Sequence, residues 1–284
     1  MTPTRRAVAD QLLQPTRDEH MTQFDRTTHV HPVQTTDDRA ITSSTFQGYL
    51  DPSWASLLAV HGGYVASLAV RAAQTMLPDR DVRTVSTTFL RPARVGPVEL
   101  TLDVLRSGRS FSTLTAHIRQ AGQDIAETRI TLLKPPGAGT TWSTKIAQRP
   151  APWQQCVPFQ PPPAIAHFDQ AQFRIDPATI PTGDAADSRI AGHLRPIETR
   201  PIDAAWLVVM GDWFPPTPFR RLTFPTGGIS IDYSIHIHRT LPADHNLWLE
   251  GVFISDNNTA GIALERGTLA GIPIAETFHT RWTG

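Results

Sequence analysis

The sequence predicts an α+β protein made of two similar units in tandem, each a central helix wrapped by a curved antiparallel sheet. Three observations lead there. A helix-like segment followed by strand-like runs occurs twice. A short string of residues recurs at the same relative place in each half. A proline-rich stretch separates the two halves.

In the first half, Leu57, Leu58, Val65, Leu68 and Ala69 recur at helical spacing between Asp51 and Leu77. From Trp54 to Ala73 Ala and Leu dominate, and no charge appears before Arg71. A helix that is apolar on several faces is buried economically by a sheet curved around it. Strand-like runs follow at 85–90, 98–106, 112–119 and 125–133. In the second of these, Val98, Leu100, Leu102 and Val104 alternate with Glu99, Thr101 and Asp103, the pattern of a strand with one buried face. In the second half, residues 204–210 read as helix and Pro215-Pro216 interrupts it; runs at 229–238, 247–255, 260–266 and 274–282 read as strands. Between the halves stand Pro135, Pro136, Pro150, Pro152, Pro158 and Pro161-Pro162-Pro163, which exclude a regular helix or a central strand. The expected organisation is a tail over 1–23, a first unit over 24–135, a connector over 136–165 and a second unit over 166–284.

The halves also share letters. Ala121-Gly122-x-x-Ile125-Ala126-Glu127-Thr128 returns as Ala270-Gly271-x-x-Ile274-Ala275-Glu276-Thr277, a shift of 149 residues, and a shift of 148 lays Ser86 and Arg91 on Ser234 and Arg239. Such offsets, with the same order of elements, point to duplication. A duplicated pair is expected to pack like a two-fold dimer, with the sheets continuing across the pseudo-axis.

Composition bounds the function. There are 26 basic and 26 acidic residues, without the basic excess of a nucleic-acid binder. The single cysteine, Cys156, rules out an intrachain disulfide framework and a cysteine-based zinc site. No apolar run approaches the roughly 20 residues that span a bilayer, and residues 1–20 lack a signal-peptide core. A cytoplasmic protein is the simplest expectation.

Several motifs, in this order, give the sequence a specific resemblance. His61-Gly62-Gly63, Phe89-Leu90-Arg91-Pro92, Leu105-Arg106-x-Gly108-Arg109-Ser110 and Gln120-x-Gly122 resemble the N-terminal hotdog of acyl-CoA thioesterase II-like proteins. Asp212-x-x-Pro215-Pro216, Ser230-Ile231-Asp232-Tyr233-Ser234 and His238-Arg239 resemble their C-terminal hotdog. The likeness covers roughly 40–135 and 190–284 and implies a double hotdog that hydrolyses acyl-CoA to free acid and CoA, without metal or redox cofactor. Two such chains can pair as a homodimer.

Thioester hydrolysis needs a water against the carbonyl carbon, a group to take its proton and donors for the oxyanion. The resembled family holds that water with an Asp, a Ser or Thr, and a Gln. By position these become Asp212, Ser230 and His279, the last a departure from glutamine. Neutral histidine also offers one donor and one acceptor, and its usual pKa lets it take a proton near pH 7. His279 therefore suits either a water ligand and base or a chain that keeps only acyl-thioester or lipid binding. Each residue also has a plainer reading: Asp212 as the cap of a helix near Pro215, Ser230 as an ordinary strand serine, His279 as a satisfied core histidine. His61, Gly62 and Gly63 are candidate substrate-binding residues, because backbone amides at a glycine pair can approach a carbonyl oxygen closely; helix–sheet clearance explains the glycines equally well. The 148 shift lays Gly63-Tyr64 on Gly211-Asp212, so only the second half has a carboxylate there and one active pocket per chain is expected.

His236-x-His238 points two imidazoles to one strand face, but no third ligand is linked to them and no metal is expected. Arg91, Arg106, Arg109 and Arg239 suit either CoA phosphates or surface ion pairs. An enoyl-thioester hydratase on the same fold lacks its Asp, His and Asn-Pro-x-His segment here.

Overall fold

The computed structural model describes residues 21–33, 42–135, 142, 148–159, 165–222, 228–239, 244, 246–269 and 274–283. Arg5-Arg6, Pro136, Pro161-Pro162-Pro163 and the Ala270-Gly271 copy of the repeat lie outside them. The first half contains α1 (Gln23–Thr27), β1 (His31–Pro32), β2 (Ser43–Leu50), α2 (Gly62–Met76), β3 (Asp81–Phe89), β4 (Gly96–Ser107), β5 (Phe111–Gln120) and β6 (Gln123–Leu133). Then come β7 (Val157–Pro158) and β8 (Ala171–Ile175). The second half contains β9 (Ile190–Pro196), α3 (Ala204–Gly211), β10 (Ile229–Ile237), β11 (Leu249–Thr259), β12 (Ile262–Leu269) and β13 (Ala275–Trp282).

These strands form one antiparallel sheet in the order β1-β2-β4-β5-β6-β3-β10-β13-β12-β11-β9-β8-β7. The run β2-β4-β5-β6-β3 is answered by β9-β11-β12-β13-β10, so both halves have the same topology and meet edge to edge. At the seam β3 pairs with β10, and Ser86 stands opposite Ser234, the residue onto which the 148 shift carries it. The pseudo-two-fold axis passes through that pair. Each seam strand has a bulge, at Val82/Thr84 and at Ser230/Asp232, again 148 residues apart. Duplication and the double hotdog are thus read directly from strand order and register.

The helices lie within the curve of the sheet. Gly63 to Val70, Ala72 and Ala73 of α2 are all buried, as a helix covered on several faces requires. In α3 every residue from Ala205 to Gly211 is buried, and Asp203 caps the helix by accepting from the Trp206 N–H at 2.9 Å. The two helices touch where Gly63 faces α3. A Cβ there would stand 2.8 Å from the Val208 carbonyl oxygen and 3.0 Å from the Val209 Cα. α1 lies across both halves: Phe24 stacks on Trp206 with centroids 4.5 Å apart, and Asp25 meets Arg71 of α2 and Arg200 at 3.0 and 2.9 Å.

Two expectations need correction. Leu57 and Leu58 are not on the helix: they are 50% and 59% exposed in a turn, because Pro52 opens a short 3-10 turn capped by Asp51 and α2 starts only at Gly62. Gly63-Tyr64 and Gly211-Asp212 are not equivalent either. The first pair lies in the first turn of α2, whereas Gly211 ends α3 and Asp212 follows it. No helix among the described residues is long and apolar enough to cross a membrane.

Candidate active site

Asp212 is the C-cap residue that follows α3, and its side chain reaches the start of α2. One carboxylate oxygen, Oδ2, accepts the Gly63 N–H at 2.9 Å. The first N–H groups of a helix have no intrahelical partner and carry the positive end of its dipole, so an anion belongs there. His61 fixes the same residue through its backbone. Its Nδ1 accepts the Tyr64 N–H at 3.2 Å, so the ring proton is on Nε2, which donates to the Asp212 carbonyl at 3.0 Å. The reading of Asp212 as a cap near Pro215 fails: the 3-10 turn over Thr217–Arg220 has Pro216 at its N-cap and no side-chain cap. Gly62 closes this side. A Cβ on it would meet Phe89 Cζ at 2.7 Å and Asp212 Oδ2 at 2.9 Å. Gly62 is itself half-buried, at the first position of α2.

The other oxygen, Asp212 Oδ1, faces three polar groups at nearly one distance. Ser230 Oγ is 3.5 Å away, His279 Nδ1 3.5 Å and Arg281 Nη2 3.6 Å. Ser230 stands at the β10 bulge, while His279 and Arg281 are alternate inward residues of β13. Asp212, Ser230 and His279, far apart in sequence, are therefore gathered in space.

His279 departs from expectation in its proton chemistry. Its Nε2 lies 3.1 Å from the Gly211 carbonyl, which makes Nε2 the donor and leaves the Nδ1 lone pair toward Asp212. Nδ1 has no hydrogen-bond partner. The ring lies against Tyr233 with centroids 4.6 Å apart and is fully buried. Burial, helped by the Arg281 charge, pushes its pKa down to about 3. The ring is therefore neutral near pH 7, with Nδ1 available as a hydrogen-bond acceptor.

The motifs did not reveal Arg281, Glu265 or His167. The Arg281 Nη1 donates to Ser230 Oγ at 2.8 Å, and its Nε and Nη2 donate to one oxygen of Glu265 at 2.9 and 2.8 Å. The second Glu265 oxygen accepts the Thr217 N–H at 2.8 Å. Burial works against the Arg281 charge, but Glu265 and Asp212 more than offset it and raise its pKa. A signal existed in the alternation of β12 and β13: Glu265 shares the inward face with Ala263 and Leu269, and Arg281 with Ala275 and His279. His167 comes from the 3-10 turn before β8; its ring is 4.6 Å from His61 and 5.3 Å from Trp213. Burial, then the neighbouring His61, lowers its pKa to about 2, and burial lowers that of His61 to about 4.

The other candidates lie elsewhere. His236 is exposed against Phe278, and His238 pairs with Glu276 at 3.2 Å. No group of three metal-ligating side chains occurs among the described residues. Arg91 donates to the Asp124 carbonyl and Arg106 lies over Phe111.

Comparison with known proteins agrees with this frame. A family model described as the acyl-CoA thioesterase N-terminal domain matches residues 50–133, and one described as the acyl-CoA thioesterase C-terminal domain matches residues 143–271. No curated protein matches the chain. Among solved structures, it is similar to a protein from Thermobifida fusca assigned as a thioesterase II: 20% identity, TM-score 0.80, covering 93% of this chain and 98% of that one. A hot dog fold protein of unknown function from Alicyclobacillus acidocaldarius gives 18%, 0.79, 93% and 98%. An acyl-CoA thioesterase II from Mycobacterium marinum gives 19%, 0.70, 93% and 97%. At these identities the structures speak for the fold; the family models speak for the chemistry.

Proposed function

The chain belongs to the acyl-CoA thioesterase family, whose N- and C-terminal domains it carries in tandem, and on that premise we propose that its hydrolytic site is centred on Asp212. Acyl-CoA is the substrate class and thioester hydrolysis the reaction. The observation that carries the assignment is the ring of Ser230, His279 and Arg281 around Asp212 Oδ1 at 3.5–3.6 Å. Polar contacts of that length suit groups that share a water.

A water there donates one proton to Asp212 Oδ1 and the other to the free lone pair of His279 Nδ1, and it accepts from the Ser230 hydroxyl. One lone pair is left for the thioester carbon. Asp212 takes the proton as the carbon–oxygen bond forms. The Gly62 amide, at the positive end of α2, is the donor for the developing oxyanion. Collapse expels CoA as thiolate, which recovers the proton from Asp212. His61 and Gly63 serve the substrate by fixing the carboxylate. The units over 24–135 and 166–284, with 136–165 between them, supply α2 and Asp212 respectively.

The test is free-thiol release from a panel of acyl-CoAs by the purified chain, with Asp212→Asn beside it. Turnover in the wild type and its loss in the variant are expected. Full turnover in the variant removes Asp212 from the mechanism, and tight binding without turnover in the wild type favours an acyl-thioester-binding role.

A further inference from the structure

Arg281 and Glu265 form a buried ion pair beside the site, with side chains 5% and 1% exposed. Stability does not explain it, since buried pairs are often matched or bettered by apolar residues of similar volume. The molecule contains that comparison. In the first half Leu114 pairs with Ile130 where Glu265 pairs with His279, and Leu132 faces the Val82 bulge where Arg281 faces the Ser230 bulge. Val82, Leu114, Ile130 and Leu132 are all buried, so the framework packs without charges at these positions.

The geometry shows what the pair does instead. Glu265 is fixed at one oxygen by the Thr217 amide and grips Arg281 with the other. The planar guanidinium is thereby oriented, and Nη1 places its proton on Ser230 Oγ. A serine hydroxyl has one proton to give. With Arg281 on its acceptor side, that proton is directed at the Asp212 side of the site.

We propose that Arg281, braced by Glu265, is a positioning residue that makes Ser230 an obligate donor toward the reacting water. This rests on the Asp212-centred reading above.

The test measures kcat and KM separately on an acyl-CoA, with thermal melting, for Arg281→Lys, the double variant Arg281→Leu/Glu265→Leu, and Ser230→Ala in both the wild-type and the double-variant backgrounds. The double variant, which borrows the first half's leucines, is expected to melt at or above the wild type. Its kcat should fall about 100-fold, the scale of one lost positioned donor, and its KM should stay within about threefold, as for an interaction made in the transition state. Arg281→Lys recovers part of kcat. Ser230→Ala lowers kcat in the wild type and adds nothing in the double variant. A double variant with wild-type kcat, or one in which Ser230→Ala still costs its full amount, overturns the proposal. Should the double variant not fold, Arg281→Lys decides: reduced kcat at unchanged melting supports the role, and wild-type kcat ends it. Asp212→Asn separates the levels, because activity surviving there sinks the site itself, whereas activity lost there but kept in the leucine pair sinks only the positioning role.

Discussion

Val82, Leu114, Ile130 and Leu132 of the first half and Ser230, Glu265, His279 and Arg281 of the second occupy the same places in the same strand frame. At the helix ends, Leu77 follows α2 where Asp212 follows α3. One half has closed these places with hydrocarbon, and the other has filled them with groups that bond one another. The frame tolerates the polar set because each charge has an answer: Arg281 for Glu265 and the start of α2 for Asp212, with the Thr217 amide on the second Glu265 oxygen and the Gly211 carbonyl on His279 Nε2; the His279 Nδ1 lone pair is left open. The strand frame is therefore shared, and the difference between the halves at these places is one of side chains.

The harshest way to break the comparison is Leu132→Arg. It puts the second half's cation into the first half with no acid opposite. An uncompensated buried charge costs about 3–5 kcal/mol, so a large fall in the urea midpoint or insoluble expression is expected. Asp212→Asn comes next. Asparagine still accepts from the Gly63 amide, so melting should hold while kcat falls about 10²–10⁴-fold, the range for a lost general base; thiol release measures it.

Acid offers a gentler probe. His61, His279 and His167 have pKa values lowered to about 4, 3 and 2, first of all by burial. Below an unfolded-state value of about 6.5 the unfolded chain binds protons that the folded chain refuses. Stability is then fully present above about pH 6.5 and declines as pH falls toward 4. Melting temperature against pH should bend near 6.5, and replacing His167 by Phe should soften the bend. The smallest effect is expected from His279→Gln, which restores the resembled family's residue. Its NH2 can donate to the Gly211 carbonyl while its carbonyl oxygen accepts from the water, so kcat should change by less than about tenfold.

The fold was largely legible. The alternation in β4, the charge-free stretch of α2 and the two repeat offsets predicted strands within a few residues and a seam that the structure places at Ser86 and Ser234. β2 and β9 escaped because each follows a segment without periodicity and carries too few β-branched residues to stand out. Of the site, Asp212, Ser230 and His279 were reached by resemblance and do converge. Arg281, Glu265 and His167 were not, because partnership between buried charges depends on which strands are neighbours. The proton state of His279 was also beyond reach, since burial sets it and burial is a tertiary property.

The grip of Gly63 on Asp212 joins an amide from one half to a carboxylate from the other. In an assembly of separate subunits such a centre would fall apart on dilution. Here both contributors ride on one polypeptide, so their local concentration is set by the tether and not by how much protein is present. Specific activity should therefore be the same at nanomolar and micromolar enzyme.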